Sequence, residues 1–181
     1  MKKLIVASDN HSESGILYQI YEEHQDADAF YHLGDSEFAY QDTELSLYHR
    51  VKGNMDFYPE FPESQVDNFE EANVFYTHGH LFGVNRSRVE LAHVAAQHQA
   101  AIALYGHTHV ARYEKINDVH VINPGSISQS RSDIEETYAE VIIDGKDSEV
   151  RFRNRNHKII DTIPFEPVSY THLRAHETVL D

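Results

Sequence analysis

Leu4-Ile5-Val6-Ala7-Ser8-Asp9-Asn10-His11 is a short apolar run that stops at a small residue and then at two side chains able to hold a cation. A run of that length, ended by a polar turn, has the pattern of a strand buried on both faces. The layout recurs. Residues 29–33 lead to Gly34-Asp35, and residues 50–52 lead to Gly53-Asn54. Residues 73–76 lead to Thr77-His78-Gly79-His80, and residues 101–105 lead to Gly106-His107-Thr108-His109. Strand ends that repeatedly present Asp, Asn and His point to one site assembled where the strands stop.

Between these segments the periodicity changes. Residues 14–24 set Ile16, Leu17, Ile20 and Tyr21 at helical spacing. Residues 87–99 predict a second helix with Val89, Ala92, His93 and Ala96 on one stripe that continues to Ala100. A short helix is expected at 43–47. Residues 64–69 and 73–76 predict a hairpin, and 111–115 pairs with 119–122 across Asn117-Asp118. A last hairpin joins 137–143 to 148–153 across Asp144-Gly145-Lys146-Asp147. A βαβ first half followed by hairpins implies an α/β (α+β) chain with two stacked mixed sheets and helices outside. Residues 1–167 are expected to form a single domain. Residues 168–181 have no periodicity or cap and resemble translated sequencing-adapter strings, so they are expected to be a non-native or unstructured tail.

The 181 residues are enough to bury a core. They carry 30 acidic and 15 basic side chains, a formal charge of −15. That balance repels polyanions and anionic membranes, so neither nucleic acid nor membrane is expected as a partner. A small phosphorylated substrate remains compatible, because bound cations invert the local field. Oligomeric state is left open. Cysteine is absent, which excludes disulfides and thiolate–zinc sites. No apolar run approaches the roughly 18–20 residues of a spanning helix, and the N-terminal run is too brief for a signal peptide. A cytoplasmic location is expected. Of 14 histidines, His24, His32, His49, His93, His98, His120 and His157 lack ligand-like spacing and are taken as solvated or core imidazoles.

Asp9 and His11 are two apart, and on an extended backbone they point to the same side. Asp35 offers two oxygens, enough to bridge two cations. Asn54 offers a neutral oxygen that limits accumulated negative charge. His107 and His109, again two apart, can face one ion each. Carboxylate, amide oxygen and imidazole together suit Mn, Fe, Zn, Ni or Co better than Ca or Mg. Each piece alone has an ordinary structural explanation. Asp35 suits a turn after a strand, Asn54 a left-handed turn, and His78 a hydrogen-bonded core position. Order and spacing together separate a site from coincidence.

The ordered set resembles the calcineurin-like metallophosphoesterase superfamily. Asp9-Asn10-His11, Gly34-Asp35, Gly53-Asn54, His78-Gly79-His80 and Gly106-His107-Thr108-His109 match its five blocks. Gly53-Asn54-Met55-Asp56, Thr77-His78-Gly79-His80 and Ile122-Asn123-Pro124-Gly125-Ser126 make it look most like the small single-domain bacterial and archaeal phosphodiesterases, over about residues 2–155. The resemblance implies a four-layer αββα sandwich of two mixed β-sheets flanked by helices, with a metal site at the C-terminal strand ends. It implies two divalent transition-metal ions, Mn foremost and Ni, Co, Zn or Fe as alternatives. Asp9, His11, Asp35 and His109 would hold one, and Asp35, Asn54, His78 and His107 the other, with Asp35 bridging. A metal-bridging hydroxide would hydrolyse a small phosphorylated substrate. Histidine ligands must be neutral, so metal affinity is expected to weaken below about pH 6.5.

Met55 departs from the many members that follow the Asn with His. A thioether cannot donate a proton, which disfavours a protein-phosphatase role. His80 becomes the candidate general acid, with water next and support of the metal site as its plainer role. Asn10 either contacts phosphate or shapes its turn. Arg86 and Arg88 either reach an anionic substrate or start a solvated helix. Asn123 and Ser126 are expected to hold a loop near the site. The alternative function is a non-catalytic scaffold binding protein partners, as in a retromer subunit that resembles this fold. The intact ligand positions rank it second. The −15 charge disfavours a third reading, a nuclease related to the double-strand-break repair subunits.

Overall fold

The computed structural model describes residues 1–168, and the tail expected over 168–181 lies, from 169 onward, outside them. Two helices are formed, α1 (Ile16–Glu23) and α2 (Val89–Gln97). The first strands are β1 (Lys2–Ala7), β2 (Ala29–His32), β3 (His49–Arg50), β4 (Ser64–Asn68) and β5 (Asn73–Thr77). They are followed by β6 (Ile102–Leu104), β7 (Arg112–Ile116), β8 (Val119–Asn123), β9 (Thr137–Ile143), β10 (Ser148–Asn154) and β11 (Ile159–Phe165). One sheet runs β11-β10-β9-β1-β2-β3 and the other β4-β5-β6-β8-β7.

Both sheets are mixed. β1 is parallel to β2 and antiparallel to β9. β6 lies parallel to β5 and β8, and β7 turns back on β8. Helices α1 and α2 make the crossovers that parallel neighbours require. The apolar run Leu4–Ala7 is wholly buried because β1 is covered on both faces. Leu4 and Val6 face the other sheet, where they pack with Val74, Tyr76, Ile102, Leu104 and Ile122. Ile5 and Ala7 face outward onto Ile16, Leu17 and Ile20 of α1. On the far side, Phe75, Ala103 and Val121 pack under Leu91, Ala92 and Ala95 of α2. The order of layers is therefore helix, sheet, sheet, helix, as the sequence implies.

Several details differ from expectation. The predicted α2 stripe is rotated. Leu91, Ala92 and Ala95 face the sheet, while His93 and Ala96 lie outside and Val89 is 59% exposed. Three alanines gave the stripe little weight, and Leu91, the largest apolar side chain of the helix, sets the true face. The helix expected at 43–47 is a single 3-10 turn, Leu45–Leu47. β3 ends at Arg50. β11 was not anticipated. Pro164 and the polar Asp161-Thr162 pair weaken its strand pattern, and such a strand is tolerated because it lies at the sheet edge. No helix among the described residues is long and apolar enough to cross a membrane.

Candidate metal centre

The loops after β1, β2, β5 and β6 converge at one end of the two sheets. Backbone bonds zip the first two loops together: Asp9 N–H donates to Gly34 O (3.1 Å), His11 N–H to Asp35 O (3.0 Å) and Ser12 N–H to Ser36 O (2.8 Å). The backbone there is not extended, contrary to the two-apart argument for Asp9 and His11. Five candidate residues hold a left-handed backbone: Asp9 (φ 59°), His11 (42°), Asp35 (59°), His107 (70°) and His109 (63°). Non-glycine residues enter that region at a cost and stay where the surroundings over-determine them, commonly at functional sites. Asn54 is not among the residues with positive φ, so the left-handed turn that was the alternative to a ligand role does not apply to it.

The side chains form two adjoining groups. In the first, His109 Nε2 lies 3.3 Å and His11 Nε2 3.7 Å from Asp9 Oδ1, and the two Nε2 atoms are 3.1 Å apart. In the second, His78 Nε2 lies 3.0 Å from Asn54 Oδ1, 3.2 Å from His107 Nδ1 and 3.3 Å from Asp35 Oδ2. Asp9 Oδ1 reaches the second group too, 3.9 Å from His78 Nε2. Asp9 is thus common to the two groups, and Asp35, which the resemblance makes the bridging ligand, lies beside it in the second. His109 lies in the first group and His107 beside His78 in the second.

Hydrogen bonds at the back of three of the four rings settle which nitrogen faces inward. His78 Nδ1–H donates to Leu33 O (2.7 Å), His109 Nδ1–H to Gln129 O (2.7 Å) and His11 Nδ1–H to Glu37 (3.0 Å). When neutral, each of these rings aims a bare Nε2 lone pair at the cluster, the arrangement of a metal-ligating histidine. Asp9 Oδ2 accepts from Ser8 Oγ–H and from the His107 N–H, while buried Oδ1 has no hydrogen-bond partner. An orphaned carboxylate oxygen beside several imidazole nitrogens is a donor set suited to a cation. Space is kept for it by glycine. A Cβ on Gly53 would collide with Asp35 Oδ1, and one on Gly106 would collide with Ser8 Oγ and Asp9 Oδ2. The residues present therefore suit divalent metal.

The titration behaviour agrees. Burial disfavours the Asp9 carboxylate, but the neighbouring His109, His11 and His78 rings, in their protonated form, outweigh it and hold the group well below the usual range. Burial likewise opposes ionisation of Asp35, and the protonated form of His78, 3.3 Å from Oδ2, reverses it. Asp9 lifts His11 to about 9 against burial, with Glu37 helping. Burial pulls His78 down, yet Asp35 and Asp9 carry it above the ordinary value. Burial and the charge of His78 lower His107 and His80.

His80 stands beside the second group, its ring centroid 5.4 Å from His78 and 6.2 Å from His107. Its buried Nδ1 has no partner. Asn10 shapes its turn. Its Nδ2–H donates to Glu13 O (3.0 Å), and its Oδ1 accepts from His32 Nε2 (2.8 Å). Arg88 is tied to Glu114 (2.7 Å), away from the cluster, and Arg86 is exposed. Ser126 Oγ–H donates to Asp9 O (2.8 Å), and Asn123 Nδ2–H donates to Gly106 O (3.0 Å), so both hold loops.

Sequence reasoning missed three supports. His32 is not an ordinary core imidazole, because it bonds Asn10 and accepts the Gly34 N–H (3.1 Å). Buried Asp56 accepts from the N–H groups of Asp35 (2.8 Å), Gly53 (2.8 Å) and Glu37 (3.0 Å), tying the two ligand-bearing loops together. Its place in Gly53-Asn54-Met55-Asp56 was the only signal. Glu37 orients His11, and nothing in its sequence position announced it.

Residues 1–146 match the calcineurin-like phosphoesterase superfamily domain. The chain belongs to that superfamily. It is 31% identical over 150 residues to the probable metallophosphoesterase YsnB of Bacillus subtilis, covering 82% of this chain and 89% of that one. A shorter match, 37% identical over 59 residues, links it to the phosphodiesterase YfcE of Escherichia coli K12, across 33% of this chain and 28% of that one. Among solved structures, a conserved protein predicted to be a phosphoesterase from Streptococcus pneumoniae superposes with a TM-score of 0.87. It is 37% identical, with 91% of this chain and 97% of that one covered. The superfamily is one of metal-dependent hydrolases, and divalent ions are its cofactors.

Proposed function

We propose that this chain is a metal-dependent phosphodiesterase or phosphatase acting on a small phosphorylated substrate, with Asp9, His11, Asp35, Asn54, His78, His107 and His109 as ligands of two transition-metal ions. The observation that carries the proposal is the pair of adjoining donor groups meeting at Asp9 Oδ1, a buried oxygen without a hydrogen-bond donor. Asp9, His11 and His109 form one half, and Asp35, Asn54, His78 and His107 the other. The family resemblance puts Mn foremost, and imidazole mixed with hard oxygen also admits Ni, Co, Zn or Fe. Such ions supply Lewis acidity, lowering the pKa of water from about 15.7 toward 7 and stabilising charge on phosphoryl oxygens.

The chain's own residues do the rest. Leu33 O, Gln129 O and Glu37 hold three rings in the ligating tautomer, and Asp56 holds Asp35 and Gly53 in place. His80 is the proposed proton-handling group. Burial, and after it the charge of His78, lowers its pKa and so favours the neutral ring, which would offer an N–H hydrogen bond to a leaving oxygen. No side-chain nucleophile is needed, consistent with the absence of cysteine.

The test is hydrolysis of bis-p-nitrophenyl phosphate by metal-stripped protein, with Mn, Ni, Co, Zn and Mg restored singly and Asp35→Ala alongside. Turnover that returns with metal and is lost in Asp35→Ala is expected. Turnover surviving complete stripping would overturn the proposal. Metal retained by folded protein that hydrolyses no diester would favour the non-catalytic scaffold.

A further inference from the structure

The loop that carries Asn54 does not return directly to the core. Met55, Phe57 and Tyr58 remain 40%, 78% and 46% exposed. Together with Glu37, Phe38 and Asp56 they line an open cleft of about 350 Å³. That volume is at the lower end of small-molecule sites. Three apolar or aromatic side chains displayed in so short a segment leave a costly surface in water.

Two residues of the cleft lining bond directly to residues of the metal centre. Met55 N–H donates to Asp35 Oδ1 (2.8 Å), and the preceding Asn54 lies 3.0 Å from His78 Nε2. Across the cleft, Glu37 bonds His11 of the other group. The lining charges are two carboxylates without a cation. Asp56 spends its oxygens on three backbone N–H groups, and Glu37 spends one on His11. A phosphoryl group is repelled from such a wall, while a neutral planar group finds apolar and aromatic faces there.

We propose that the Met55–Tyr58 cleft is a specificity subsite, and that it receives a neutral aromatic ester group of a phosphodiester whose phosphoryl lies at the metal centre. Phe57 is its principal contact. This rests on the phosphodiesterase reading above and narrows its substrate class to diesters with an aryl or nucleobase-like arm. Phe57 positions that arm and takes no part in bond cleavage.

The experiment compares p-nitrophenyl phenyl phosphate with p-nitrophenyl methyl phosphate, which share a leaving group, on the Mn-loaded full chain. The quantity followed is the ratio of kcat/KM for the phenyl over the methyl ester. The wild type is expected to favour the phenyl ester, and Phe57→Ala to reduce that ratio roughly fivefold to tenfold, the size of one lost aromatic contact. Val89→Ala, a comparably exposed apolar truncation on α2, leaves the ratio in place. A second arm needs no turnover. Phenylphosphonate and methylphosphonate carry similar heads on a C–P bond that is not hydrolysed, and calorimetry gives their Kd ratio in both proteins. The same loss of aryl preference in Phe57→Ala is expected. No aryl preference in the wild type, or a preference that Phe57→Ala leaves intact, overturns the subsite. A wild type that hydrolyses no diester yet shows the Phe57-dependent phosphonate preference would overturn the phosphodiesterase reading and leave the subsite standing.

Discussion

The Nε2 atoms of His11 and His109 face each other at 3.1 Å, each bare of hydrogen when its ring is neutral because the opposite nitrogen donates to Glu37 or Gln129. Two lone pairs at that distance repel unless a cation lies among them. A proton is the alternative occupant, and Asp9, against burial and with Glu37 helping, lifts the His11 pKa to about 9. The sequence placed the loss of metal affinity below about pH 6.5, and the buried carboxylate moves it upward. Metal must displace this proton, so affinity falls by roughly tenfold per pH unit as pH drops below 9. Titration with Mn at pH 7.5, in two buffers of different ionisation enthalpy, should show about one proton released at this group. An observed heat independent of the buffer would sink the idea.

Gly106 is the second element that sets the site. Its missing Cβ leaves room for Ser8 Oγ and Asp9 Oδ2. Gly106→Ala should displace the Asp9 carboxylate and cost about 1–3 kcal/mol of stability, the usual range for overpacking a filled site. Metal per chain, measured by mass spectrometry after dialysis, should fall together with the thermal midpoint. Full metal content with an unchanged midpoint would contradict the close-packed account.

The strand ends were legible because each joins an apolar run to a small residue and then a ligand, a purely local pattern. What was not legible depends on residues far apart in sequence. Helix α1 has no side-chain cap of its own. Its first N–H groups are taken by buried Glu44, which accepts from Gly15 (2.9 Å), Leu17 (2.9 Å) and Tyr18 (3.3 Å). A distant carboxylate replaces the local cap, so no signal preceded the helix. Asp56 and His32 act likewise, through backbone groups of loops that only the fold brings near. The left-handed backbone of Asp9 is also tertiary in origin, because the loop after β2 supplies its hydrogen-bond partner.

Glu140 in β9 is 1% exposed and holds three cations: Arg151 at 2.9 Å, and Lys3 and Arg153 at 3.1 Å. Burial raises its pKa, but Lys3 and the two arginines more than reverse that. Removing a buried partner leaves charge uncompensated, which typically costs about 3–5 kcal/mol. The arginines are partly solvated, so Glu140→Ala should cost about 2–4 kcal/mol. The urea midpoint should drop with little change in slope, because the sheet surface exposed on unfolding is the same. A midpoint within error of the wild type would show the network contributes nothing.

His24 offers a pH test away from the metal centre. It is buried on the outer face of the six-stranded sheet, its Nε2 2.6 Å from the Tyr138 hydroxyl. Burial, with Lys3 adding to it and Glu140 opposing, lowers its pKa to about 4. Unfolding returns it to about 6.5. Between those values the unfolded chain binds the proton that the folded chain refuses. Stability is therefore undiminished above pH 6.5 and declines as pH falls toward 4, by about 2 kcal/mol between pH 7 and 5 from this residue. Other groups titrate over the same interval, so the informative quantity is a difference. Wild type and His24→Gln, each unfolded in urea at pH 7 and at pH 5, should differ in their pH-induced loss by that amount, with the variant less sensitive. Equal losses in the two proteins would mean that His24 is protonated in the folded state, and that the Glu140 charge beside it prevails over burial.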